Sequence, residues 1–242
     1  MAKINGLNSR LLLDGISIGG DTASLDDVST PTAVFDSTGI DKSAFERIAG
    51  LSDGAMSLTT HINDDGVTLA KVNALPSTDV IATALLPNGI GNIASSIVAK
   101  QVSYGWNRGS DGALAGPVSL QGANGHPLVW GRQMTTGIQT VTGAADTASI
   151  DNAVATDNGY LIVQVSAFTG TNLTVTLEQS SDDGAGDAFA ALSPSATVQF
   201  TGVGAAFIPI TATSIERYVQ AAITGTFTTA DLVIIYAVGA AA

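Results

Sequence analysis

The 242-residue chain contains no cysteine, which excludes disulfides, thiolate nucleophiles and thiolate metal ligands. Imidazole is almost as scarce: His61 and His126 are the two histidines, too few to build an ordinary acid–base or metal centre without help. Basic residues number 9 against 21 acidic ones, for a formal charge of -12. A surface of that sign repels phosphates, so duplex binding is disfavoured. Aromatics make up 5% of the chain, with Trp106 and Trp130 the only tryptophans, so stacking platforms for sugars are poorly supplied. No apolar run approaches the ~20 residues of a membrane helix. The start, MAKINGLNSRLLLDG, lacks the apolar core of a secretory signal, and the expectation is a soluble chain that is not exported.

What is present is small and apolar. Hydrophobic residues reach 45%, charged residues only 12%, and glycines number 27. Such a chain has enough apolar surface to fold, and disorder driven by self-repulsion is not expected. A thinly charged apolar surface is also one that partners tend to cover, which makes self-assembly the first expectation.

Short β-rich runs separated by Gly, Asn, Asp and Ser predict an all-β sandwich or barrel with one or two short helices. Leu11–Leu13 and Ile16–Ile18 flank Asp14-Gly15, a dipeptide suited to a tight hairpin turn. Residues 20–29 (GDTASLDDVS) read as an acidic loop or arm anchored by Leu25 and Val28, and 32–35 as a strand. In SAFERIA (43–49) a capping serine, Glu46 and the apolar pair Phe45 and Ile48 predict a helical turn or two. Strict alternation in AMSLTTHI (55–62) predicts a half-buried strand. Apolar positions from Val67 to Ala74, stopped by Pro76, predict the best helix. Residues 79–86 and 95–106 are expected to pair across PNGIGN. A Thr/Gly-rich link after residue 134 divides the chain into an N-terminal β lobe, 1–134, and a C-terminal β-sandwich lobe, 135–242. Six strands are expected in the second lobe: 160–168, 173–179, 197–200, 207–210, 218–223 and 232–238.

Chemistry-bearing constellations are weak. His61 stands near Asp64 and Asp65, but its alternating context suits a surface or interface histidine. SSDDGAGD (180–187) has the oxygen density of a calcium loop but no closing glutamate and no flanking helices, so a hairpin turn is the better reading. NGIG (88–91) has no following lysine to make it a phosphate cradle. Paired acids such as Asp26-Asp27 read as solvated positions rather than glycosidase carboxylates. Neither an enzymatic activity nor a cofactor is implied.

The order of several strings along the chain carries a resemblance. FERIAGLSDGAMSLTTHINDDG (45–66) resembles the Gly-Leu-x-Asp-Gly turn and following strand of tail tube (major tail) proteins of long-tailed phages. DVIATALLPNGIGNIASSIVAKQVSYGW is similar to the strand pair that follows in them. GYLIVQVSAFTGTNLTVTLEQSSDDGAGDAFAALS and RYVQAAITGTFTTADLVIIYAVG are similar to their closing strands. The resemblance implies a virion protein made in the host cytoplasm, whose hexameric rings stack into a tube through which DNA passes without specific binding. It implies tape-measure, tail-terminator and baseplate or initiator proteins as further partners. It also implies an arm bridging stacked rings, for which 20–35 is nominated with Leu25, Val28 and Phe35 as apolar pegs, and Phe45, Ile48 and Leu51 as further interface candidates. The alternatives are a virion decoration or fibre-like protein, or a carbohydrate-binding β-sandwich.

Overall fold

A computed structural model describes residues 8–62, 70, 72, 78–212 and 214–239. The first strands are β1 (Arg10–Leu13), β2 (Ile16–Ser17), β3 (Thr22–Ser29), β4 (Thr32–Asp36), β5 (Arg47–Ser52) and β6 (Ala55–His61). Then come β7 (Val80–Leu86), β8 (Ile93–Tyr104), β9 (Asn107–Arg108), β10 (Leu114–Gly122), β11 (Val129–Gln133), β12 (Gln139–Val141), β13 (Ala145–Asp146) and β14 (Ile150–Asp151). The last are β15 (Gly159–Ser180), β16 (Ala190–Ala191), β17 (Thr197–Phe200), β18 (Gly204–Ile210) and β19 (Tyr218–Val238). The fold is all-β with antiparallel ladders, as the alternating sequence predicts, and its sheets do not close into a barrel within the chain. The helix expected over 67–74 falls mostly outside the described residues; Ala70 and Val72 have helical backbone.

Contacts group the chain into two compact units that do not follow the 1–134/135–242 division. One holds Met1–Gly20, Ile81–Ser96 and Val129–Ala242; the other holds Asp21–Val80 and Ile97–Leu128. The reason is non-local pairing: β1 ladders with β7 (Leu11↔Ala84), and β11 with the start of β8 (Val129↔Ser96). The N-terminal hairpin forms as expected, with Leu13 opposite Ile16 and Asp14 and Gly15 both at positive φ in its two-residue turn.

The first unit is built on one long ribbon. β15 and β19 run antiparallel from Gly159↔Val238 to Ser180↔Tyr218, broken by bulges between Val165 and Asn172. Four of the six expected C-terminal strands are therefore the halves of these two. The bulges bend the ribbon, so that Leu161, Val163 and Val165 on one side and Leu173, Val175 and Leu177 on the other share a single core. The opposite face of the first half is buried too. There Gln164 accepts from Gly15 N at 2.5 Å and donates through Nε2 to Ile81 O and Thr83 Oγ1, both at 3.0 Å. Its amide thereby gives the Gly15 N–H an acceptor and adds a second donor to Ile81 O, which also accepts from Asp14 N at 3.0 Å. The ladder expected between β7 and β8 is not found among the described residues: β7 ladders with β1, and β8 with β11 and β10, and the two meet through side chains, with Thr83 Oγ1 3.1 Å from Ser96 Oγ.

The second unit is a sheet in the order β3-β6-β10-β8, all antiparallel. Residues 20–29 thus provide a strand where a loop was expected. Leu25 sits opposite Leu58 and Val28 opposite Met56, and these apolar cross-strand pairs outweigh the loop-like acids. Val72 is buried, and its carbonyl accepts from the buried amide of Gln101.

Candidate functional site

The second unit has two surfaces that its own residues leave uncovered, a polar sheet face and a projecting hairpin. Alternation sorts the sheet: Met56, Leu58 and Thr60 of β6 and Val118 and Leu120 of β10 are buried, while Ser57, Thr59, Ser119 and Gln121 point to the other side. Across from Ser57 on β3 is Asp27. Asp26, the extra residue of a bulge, accepts from Thr59 Oγ1 at 2.9 Å and from Ser24 Oγ at 2.5 Å, and Asp27 accepts from Ser29 Oγ at 2.7 Å. Lys100 lies on this face opposite Gln121 but is ion-paired with Asp79 at 2.6 Å. The face is therefore hydroxyl-rich and acidic. Among the described residues of the unit β3 has one partner, β6, and the Gln101–Tyr104 end of β8 has one, β10.

β4 and β5 pair with each other as a separate two-stranded sheet that continues the β3–β6 hairpin outward. Every residue of β4 is exposed. Phe35 stands opposite Ile48, and its ring lies over Gly50, where an added Cβ would come within 2.5 Å of Phe35 Cε2. Phe35 is 61% exposed, Phe45 73% and Leu51 90%. The Arg47 guanidinium sits 5.5 Å from the centre of the Phe45 ring, a cation–π contact that leaves the ring's other face open. The tip is ordered by hydrogen bonds. Thr38 donates from N and Oγ1 to Asp36 Oδ1, holding that carboxyl below its usual range, and Thr38 Oγ1 accepts from Glu46 N at 2.8 Å.

This network explains why the helix expected at 43–49 does not form. The Glu46 amide is taken by Thr38, its carbonyl accepts from Ser37 N at 2.9 Å, and its carboxylate pairs with Lys42. Those backbone groups are unavailable to a helical turn, and Arg47 and Ile48 enter the ladder instead. Of the six nominated interface residues, the structure gathers Phe35, Phe45, Ile48 and Leu51 on the hairpin; Leu25 and Val28 are half-buried on the apolar side of β3. Val34 and Ile40, also exposed on the hairpin, were not singled out from sequence.

The acidic loop 180–187 turns its oxygens inward. Ser180 Oγ accepts from Gly184 N and donates to Asp187 O, while the Asp182 carboxylate accepts from Gly186 N at 2.7 Å and Asp187 N at 3.1 Å. These amide hydrogens lower the Asp182 carboxyl, and the amide and hydroxyl of Ser181 lower that of Asp187. Nearby Glu216 is raised by burial and then by repulsion from Asp187. A self-capped turn fits this geometry.

No family model matches the chain, and no curated protein matches it. Among solved structures it is similar to the tube-terminating cap of an anti-feeding prophage (11% identity, 55% of this chain and 93% of that one, TM-score 0.40). It is similar to a chain of the sheath–tube complex of an extracellular contractile injection system (13%, 54% and 92%, TM-score 0.40). It is also similar to the Dit protein of phage SPP1, a hub of an adsorption apparatus (11%, 94% and 98%, TM-score 0.33).

Proposed function

We propose that this chain is the tail tube subunit of a long-tailed phage: a virion structural protein that closes into hexameric rings, stacks them, and carries DNA through an acidic bore without catalysis. The observation that carries this reading is the four-stranded sheet with one buried face, one hydroxyl-rich acidic face and single-partner strands at both margins. Four strands is an even number, so β3 of one copy placed beside β8 of the next continues the antiparallel alternation. Closure of that kind removes edges that would otherwise recruit stray strands. Six copies would supply about 24 strands, and at ~4.8 Å spacing and ~40° tilt these enclose a barrel roughly 50 Å across the backbone. A bore faced by Asp26 and Asp27 repels duplex phosphates and lets DNA slide.

The β4–β5 hairpin supports stacking. Its exposed Phe35, Phe45, Ile48 and Leu51 gain burial only against another copy. Tape-measure, terminator and initiator proteins would set the length and ends of the tube. The absence of cysteine makes the test clean: one cysteine introduced on β3 and one in the Gln101–Tyr104 end of β8, scanned over several pairs. Oxidised assemblies of the correct pair should give a ladder of linked copies ending at six on a denaturing gel. Absence of intermolecular links in every pair would refute ring closure through these strands.

A further inference from the structure

A cavity of about 380 Å³ opens in the first unit where the sandwich core ends. From buried Met134, just after β11, the positions on the core side run back along the strand through Arg132 to Trp130, which is 49% exposed. Along β19 they run from buried Ile234 and Tyr236 to exposed Val238. Ile93, opposite Arg132 on β8, completes the apolar wall. One donor at this wall lacks an acceptor. Asn152 Nδ2 is buried with no hydrogen-bond partner, although its side chain lies toward the Tyr236 hydroxyl, which itself is 3.3 Å from Thr156 Oγ1. A buried amide left unpaired is costly, and an occupant that accepts from it removes the cost.

Arg132 Nη1 donates to Asp151 O at 3.2 Å, which fixes the guanidinium at the rim. The Asp151 carboxylate is held by Arg217 in a two-pronged pair, Nε to Oδ1 at 2.8 Å and Nη2 to Oδ2 at 2.7 Å. The three groups together leave one positive charge beside the cavity of a chain whose formal charge is -12.

An occupant must therefore offer an apolar face to the indole, acceptors to Asn152 and a negative charge to Arg132. We infer that this cavity binds a carboxylate-bearing saccharide, its ring face on Trp130, its hydroxyl oxygens accepting from Asn152 Nδ2 and its carboxylate paired with Arg132. The volume lies at the lower end of the ~300–1,000 Å³ of small-ligand sites, a size for one or two sugar rings. A purely apolar segment of a second copy would leave the Asn152 donor buried and unpaired. The site goes beyond tube assembly and does not depend on it.

The test uses the full chain with Trp106→Phe, so that Trp130 is the sole indole. Titration with digalacturonate should give a saturable change in its emission, and a neutral galactose disaccharide should bind at least 10-fold more weakly. Arg132→Gln and Asn152→Ala, each confirmed as folded by its melting curve, should weaken digalacturonate binding at least 10-fold. No saturable response, equal response to the neutral sugar, or a response unaffected by both substitutions would overturn the proposal. An emission change with protein concentration alone, matched by sedimentation to dimer formation, would make a second copy the occupant and would overturn it as well. Tube formation with no sugar binding refutes this site and leaves the assembly reading standing; sugar binding by a protein that forms no rings does the reverse.

Discussion

Thr59 on β6 donates its hydroxyl to the Asp26 carboxylate on β3 at 2.9 Å. That bond holds the bulged Asp26 onto the hydroxyl-rich side of the sheet, away from the apolar side where Leu25 and Val28 sit opposite Leu58 and Met56. The sign of the face assigned to the bore therefore depends on a bulge, and on a threonine that fixes its direction.

Reversing that sign should separate conduction from assembly. Asp26→Lys with Asp27→Lys changes two exposed positions, and the folded chain should keep its melting temperature to within the small effects usual for surface changes. Particles carrying the variant tube should assemble and package DNA but lose infectivity through slowed genome passage. Unchanged infectivity would remove the electrostatic role.

Charging the hairpin should do the opposite. Leu51→Asp and Phe35→Asp alter side chains that bury little in the subunit, so monomer stability should shift by no more than ~0.5 kcal/mol in thermal unfolding. Sedimentation at high concentration should show loss of stacked assemblies. A large fall in monomer stability would mean that the hairpin packs within its own chain.

The Gln164 amide should be among the most sensitive core positions. Gln164→Leu leaves the Gly15 N–H without its acceptor, while Ile81 O keeps Asp14 N and Thr83 Oγ1 keeps Ser96 Oγ, a loss expected to cost about 1–3 kcal/mol in denaturant unfolding. A near-neutral effect would mean that the Gly15 N–H finds another acceptor.

The Asp151–Arg217 pair sets an acid-sensitive contribution. Hydrogen bonding from Arg217 lowers the Asp151 pKa to about 2, against ~3.9 in an unfolded chain. A depressed carboxyl stabilises the fold above the unfolded value, and that stabilisation fades as pH falls from near 4 through about 2. Wild type should therefore exceed Asp151→Asn in stability at pH 6, with the gap closing by pH ~2. Melting temperatures across that range check it; a gap independent of pH would assign the effect to packing.

Much of the fold is legible in the residues themselves. The Asp14-Gly15 turn announces the first hairpin, and alternation in 55–61 announces β6, because side-chain period and positive-φ residues act locally. The failures share a cause. Residues 20–29 look like a loop because their acids hide two apolar anchors whose partners, Leu58 and Met56, lie about thirty residues away. SAFERIA carries helical signals that Thr38, through the Glu46 amide, overrides. The unit boundary was invisible because β1, β7 and β8 are drawn in by ladders formed across the chain. For the candidate site, Phe35, Phe45, Ile48 and Leu51 could be picked out as apolar residues in a thinly charged chain. The Trp130 cavity could not, since Asn152 and Arg132 meet Trp130 only through tertiary structure.

Electron cryomicroscopy of assemblies grown from the concentrated protein tests the central claim most directly. The account predicts a hollow tube of six-fold rings, with β3 of each copy beside β8 of its neighbour and the Asp26 and Asp27 carboxylates turned to the axis. Particles without a channel, or a channel walled by lysine and arginine, would contradict it.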